Sequence, residues 1–147
     1  VGDLLDVLDG DVALVVTADH GQVHVGENII EPSAALLALT SGQSGEGRMR
    51  WFHARSGARE ELRDAVRDEL GDTGWVRTVD EAIEEGWFGP RVPPPVRSRL
   101  GDVVVAAHEP VSYHDPDDSG PFELVCRHGS LTEQEMLVPL LAGRGRA

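Results

Sequence analysis

Val12-Ala13-Leu14-Val15-Val16-Thr17-Ala18-Asp19-His20-Gly21 is a run of five apolar residues that breaks abruptly into polar, metal-capable side chains. A continuous apolar run of this length reads as a central parallel strand buried on both faces. Open α/β sheets bind their ligands just beyond the C-terminal ends of such strands, which is where Asp19 and His20 fall. Adjacent side chains can reach one cation only if the backbone turns between them, and Gly21 permits that turn. A carboxylate oxygen beside an imidazole nitrogen suits zinc or manganese better than calcium. The dipeptide alone leaves a second reading open, in which Asp19 caps the following turn and His20 lies at the surface.

Working outward, Leu4, Leu5, Val7 and Leu8 suggest an amphipathic helix before the strand. Because the chain opens inside that helix on Val1 and not on Met, its start is expected not to be the native one. Residues 33–40 follow Pro32 as a short helix, and Ser41-Gly42-Gln43-Ser44-Gly45 reads as a loop. A compact β-α-β-α unit follows. It comprises a strand from Met49 to Ala54, a helix from Ala58 to Leu70 with Leu62, Ala65, Val66 and Leu70 on one face, a strand at Trp75-Val76-Arg77, and a helix opened by the capping box Thr78-Val79-Asp80-Glu81. Residues 46–89 are assigned to this inserted subdomain, within a single domain spanning 1–147.

Arg91-Val92-Pro93-Pro94-Pro95 is expected to be an extended linker, since proline donates no hydrogen bond and restrains the residue before it. Asp102 to Ala107 reads as a strand and His114 to Pro121 as a polar turn. Phe122, Leu124 and Cys126 alternate on one face of a strand, which carries His128 onto the same buried face. Ser130-Leu131-Thr132-Glu133 resembles a second capping box, and Val138 to Leu141 a closing strand whose Pro139 implies an edge or a strand start. The expected fold is therefore α/β. A partial central sheet is drawn from residues 12–18, 102–107, 122–128 and 138–141, with the small subdomain beside it.

Composition narrows the function. A hydrophobic fraction of 40% over 147 residues supports a real core. A formal net charge of −13 opposes binding to nucleic acid or anionic membranes. All 13 basic residues are arginine, which points to a GC-rich, bacterial genome. The single Cys126 cannot form an internal disulfide and reads as a small core residue. No apolar run or leader-like segment suggests membrane insertion or export, and a cytoplasmic location is the expectation.

His128, followed by Gly129 and a helix start, is the second element that carries chemistry. Alone, a histidine at a strand end is more often a hydrogen-bonded core residue than a ligand. Together with the first element it forms a pattern. The stretch Ala13-Leu14-Val15-Val16-Thr17-Ala18-Asp19-His20-Gly21-Gln22-Val23 resembles the metal-binding strand of the alkaline phosphatase superfamily, in its type I phosphodiesterase/nucleotide pyrophosphatase branch. Arg127-His128-Gly129-Ser130-Leu131-Thr132-Glu133-Gln134-Glu135-Met136-Leu137-Val138-Pro139-Leu140 is similar to the closing motif of that branch. The 108 residues from His20 to His128 are compatible with the order of these motifs. Trp51-Phe52-His53-Ala54-Arg55 and Glu85-Gly86-Trp87-Phe88-Gly89-Pro90 resemble bacterial members, so the likeness covers nearly the whole chain.

That resemblance implies a pair of divalent metals, zinc above all, acting on a phosphoester. Asp19 and His20 would serve one metal and His128 the other, completed by ligands upstream. It also implies a Thr or Ser nucleophile upstream, and none of Thr17, Ser130 and Thr132 matches that position. The chain is thus expected to be the C-terminal portion of a hydrolase, inactive alone, with no catalytic nucleophile of its own. Its expected partners are the missing N-terminal half, a phosphoester or nucleotide substrate, and a second copy in a homodimer. The alternatives are a phosphomonoesterase, phosphonate hydrolase or phosphomutase of the same superfamily, or a non-catalytic interaction or dimerisation module. The other histidines are given bland roles. His24 is placed at the surface, His53 packed in its strand, and His108 and His114 in solvated loops, while Asp115, Asp117 and Asp118 form a solvated turn.

Overall fold

The computed structural model describes residues 1–117 and 124–147. Its elements run in order as α1 (Gly2–Val7), β1 (Ala13–Thr17), β2 (Val23–His24), β3 (Ile29–Ile30), α2 (Ala34–Ala38), β4 (Thr40–Glu46), β5 (Met49–Ala54) and α3 (Arg59–Leu70). They continue as β6 (Gly74–Thr78), α4 (Val79–Glu84), α5 (Pro94–Arg97), β7 (Val103–Ala107), β8 (Ser112–Tyr113), β9 (Cys126–Arg127), α6 (Glu133–Met136) and β10 (Leu140–Arg144). The fold is α/β, with helices beside several small sheets.

The core is a four-stranded sheet in the order β4-β5-β7-β6, with every neighbouring pair antiparallel. Strand β7 is Val-Val-Val-Ala-Ala, a β-branched run suited to a pleat covered on both sides, and all five of its residues are buried. On one face Val103, Val105 and Ala107 meet Phe52, Val76 and the α3 residues Leu62, Val66 and Leu70. On the other, Val104 packs with Trp51, Val79 and Ala82, edged by Trp87, Phe88 and Leu100. Burying each large apolar side chain contributes about 1.5–3 kcal/mol, so this double-sided packing dominates the stability of the molecule. Helix α3 follows the 3.6-residue period in its buried residues, and α4 begins with the expected capping box, Thr78 and Glu81 each accepting from the other's backbone N–H.

Several expectations need correction. The strand at 102–107 does not join the strand at 12–18; it lies at the centre of the subdomain sheet, between β5 and β6. Strand β1 is neither parallel nor buried on both faces: among the described residues it pairs with β10 alone, antiparallel, with Ala13 opposite Arg144, and Val15 is 59% exposed. The Ser41–Gly45 loop is strand β4, because its backbone completes a ladder with β5 despite a composition poor in β-formers. The linker at 91–95 is extended only as far as Pro93. Pro94 and Pro95 occupy the first turn of α5, where a missing N–H costs nothing. Leu124, placed on a buried face, is 65% exposed, and Phe122 lies outside the described residues, as do residues 118–121 of the polar turn. Ser130 is not a helix cap: α6 is preceded by Thr132, and the Ser130 hydroxyl donates to the carbonyl of Ala107 at 2.6 Å. Pro139 does precede a strand, β10.

Candidate metal centre

The site is assembled by the short antiparallel pair β2–β9, in which Val23 lies opposite Arg127 and His24 opposite Cys126. Continuing that register one step sets Gln22 opposite His128, so His20 lies diagonally across from it, within reach of a ring. The two imidazoles stack with centroids 3.8 Å apart and planes 16° from parallel. Two residues far apart in the chain thus meet face to face.

Gly21 makes the approach feasible, though not by the turning freedom expected of it. Its φ is not left-handed; a Cβ there would stand 1.9 Å from the carbonyl oxygen of Gln134. The glycine is needed for room. Its N–H donates to the carbonyl of Glu135 at 2.8 Å, which ties the Asp19-His20 loop to helix α6. Gly129 does need its freedom. It has φ +114, and a Cβ would lie 2.7 Å from Cβ of Glu46.

The donor atoms are disposed for a cation. His20 Nδ1 lies 2.8 Å from the carbonyl oxygen of Gly21. With the proton on Nδ1, that bond leaves Nε2 with a free lone pair, the arrangement usual for a metal-ligating histidine. Nε2 of His20 is 3.8 Å from Oδ2 of Asp19, whose side chain is 90% exposed. Two donors on one tetrahedral zinc, each at about 2.1 Å, are separated by about 3.4 Å, so these two atoms need only a small adjustment to share an ion. Asp19 Oδ1 also accepts from the His20 N–H at 3.1 Å. That contact leaves Oδ2 as the oxygen available to a cation. Among the described residues, no three acidic, imidazole or thiol groups close on a single point. The three residues fit a metal centre as part of a donor set.

Beneath the two loops lies a charged pair that sequence reading overlooked. Arg48 and Glu135 are buried, and Nε and Nη2 of Arg48 donate to Oε1 and Oε2 of Glu135 at 2.9 and 3.0 Å. The remaining Arg48 donors reach the carbonyls of Ala107, Glu109 and Val111. The Glu135 carboxylate also accepts from Ser130 N–H at 2.9 Å and from the Thr132 hydroxyl. Burial alone pushes the Glu135 carboxyl up, but the hydrogen bonds from Arg48, Thr132 and Ser130 together hold it below the ordinary value. The available signal was Thr132-Glu133-Gln134-Glu135, a T-x-x-E pattern two residues beyond Ser130-Leu131-Thr132-Glu133.

The remaining histidines take the roles expected of them or simple local ones. His24 is exposed in β2, His53 bonds Ser44 across the β4–β5 ladder at 2.8 Å, and His108 meets the edge of Trp75. Cys126 is unpaired and half-buried. No helix among the described residues is long and apolar enough to cross a membrane.

Solved structures of known proteins share this fold. Phosphonoacetate hydrolase from Sinorhizobium meliloti 1021, solved with phosphonoacetate, superposes with a TM-score of 0.63 at 22% identity over 92% of this chain and 37% of that one. Human ectonucleotide pyrophosphatase/phosphodiesterase 5 gives 0.64 at 18% identity over 99% and 36%, and its murine counterpart 0.64 at 20% over 94% and 35%. The chain thus spans little more than a third of the length of these structures, which share its fold. Among curated proteins none matches the chain. The family model for type I phosphodiesterase/nucleotide pyrophosphatase matches residues 1–131, and the chain therefore belongs to that family.

Proposed function

We propose that Asp19 and His20 hold one of two divalent metal ions and His128 the other, in a phosphoester hydrolase whose nucleophile and remaining ligands lie outside this chain. The observation that carries this reading is the 3.8 Å stacking of His20 on His128, beside the Asp19 carboxylate. Imidazole with carboxylate favours zinc. When bound, such a metal pair activates a hydroxyl nucleophile and neutralises charge developing at phosphorus. The chain's own contribution is to fix one His20 tautomer through Gly21, to present Asp19 to solvent, and to hold His128 against His20. With three donors for two ions, the chain alone binds metal weakly and does not turn over substrate. A cytoplasmic, reducing setting suits its unpaired Cys126.

Nucleotide or other phosphodiester substrates follow from the family. Cleavage of a phosphonate is the second reading, favoured by the phosphonoacetate hydrolase among the structural neighbours. A non-catalytic docking or dimerisation role rests on a different observation, the apolar exposure of Val15, Leu140 and Leu141 on the β1–β10 ribbon. Here the N-terminal half of the same domain is the preferred occupant and a second copy the competitor.

The test is hydrolysis of bis-p-nitrophenyl phosphate and of phosphonoacetate with added zinc. It compares this chain, a chain extended N-terminally to the length of the structural neighbours, and the extended chain carrying Asp19→Ala. Turnover of the diester by the unmutated extended chain alone is expected. Turnover of phosphonoacetate alone moves the second reading ahead, and no turnover of either by the extended chain removes the phosphodiesterase assignment.

A further inference from the structure

We infer that Glu135, locked by Arg48, is a positioning residue that sets the spacing of His20 against His128. The inference rests on the metal-centre reading above. Both loops that carry the candidate ligands end on this one residue. The Glu135 carbonyl takes the N–H of Gly21, next to His20, and its carboxylate takes the N–H of Ser130, two residues after His128.

The carboxylate is in turn held by two N–H groups of Arg48, whose remaining donors grip the carbonyls of Ala107, at the end of β7, and of Glu109 and Val111 beyond it. The Ser130 hydroxyl meets the same Ala107 carbonyl. The rigid four-stranded sheet is thus connected through two buried charges to both histidine loops. A buried ion pair is a poor way to gain stability, since apolar residues of similar volume often do as well or better. What an apolar pair cannot do is accept the Ser130 N–H and the Thr132 hydroxyl. Support of ligand loops by hydrogen bonds behind the ligands is the usual way in which donor orientation is maintained.

The role separates from simple stabilisation by comparing Glu135→Gln, the apolar double variant Arg48→Met/Glu135→Met, and the core variant Leu62→Ala, which lowers stability far from the site. The readouts are melting temperature and the imidazole NMR resonances of His20 and His128, which carry mutual ring-current shifts while the rings stack. Leu62→Ala should lower the melting temperature and leave the ring signals in place. Glu135→Gln should lose the mutual shifts, and zinc affinity should fall roughly 10- to 100-fold. The double variant should recover melting temperature without recovering the ring signals. Ring signals at their wild-type positions in Glu135→Gln, or restored in the double variant, overturn the positioning role. The metal reading fails separately, if zinc added to the N-terminally extended chain leaves both sets of ring signals unmoved while Glu135→Gln still displaces them.

Discussion

At the scale of single residues, the centre depends on small groups that make room and one buried acid that holds loops. Gly21 faces the Gln134 carbonyl so closely that any Cβ must displace helix α6. Gly21→Ala is expected to cost about 1–3 kcal/mol, measured by urea denaturation, and to separate the stacked rings. Glu135 gives a pH signature. Its folded value lies below its unfolded one, so its contribution is present above the ordinary glutamate range and is lost as pH falls through the depressed value. The urea midpoint should therefore drop below pH about 4.5, with a shallower drop in Glu135→Gln. A pH-independent difference between the two proteins would contradict this. Asp19 and His20 stand out in the sequence as chemistry-bearing side chains at the end of an apolar run, and the structure brings His20 against His128. Arg48 and Glu135 do not stand out, because a charged residue in a turn or short helix usually faces solvent, and only the packed structure shows these two buried.

At the scale of elements, the strongly patterned segments formed as their sequences imply. Helix α3 buries Leu62, Val66 and Leu70 at helical spacing, β7 is a β-branched run, and α4 starts at a reciprocal cap. Leu62→Ala should cost about 2–5 kcal/mol by loss of burial and creation of a cavity, and Thr78→Ala about 1 kcal/mol by loss of the cap. Both are measured by chemical denaturation. The misread elements share one physical cause. Strands β3 and β8 are two residues long and exist only because a distant segment pairs with them, and β4 is Ser- and Gly-rich yet completes a ladder. Periodicity cannot reveal a strand whose stabilisation comes from its partner. The same limit explains why β7 was assigned to the wrong sheet: its double-sided burial was readable, but its neighbours were not.

At the scale of the whole molecule, stability and chemistry occupy different regions. The four-stranded sheet with α3 and α4 is a closed, two-sided core, whereas the β1–β10 ribbon and α1 leave apolar side chains such as Val7, Val15, Leu140 and Leu141 exposed. The loops that carry Asp19, His20 and His128 are tied to the closed core through Glu135 and Arg48. The chain corresponds to little more than a third of the matched structures, and its exposed ribbon is the surface proposed above for docking of the rest of the domain. The most direct test of the metal-centre claim is the metal content of the N-terminally extended chain after dialysis, in the wild type and in Asp19→Ala and His128→Ala. Two zinc ions per chain in the wild type, with metal lost from each variant, is the expected result; two tightly held ions retained in both variants would show that Asp19 and His128 are not ligands.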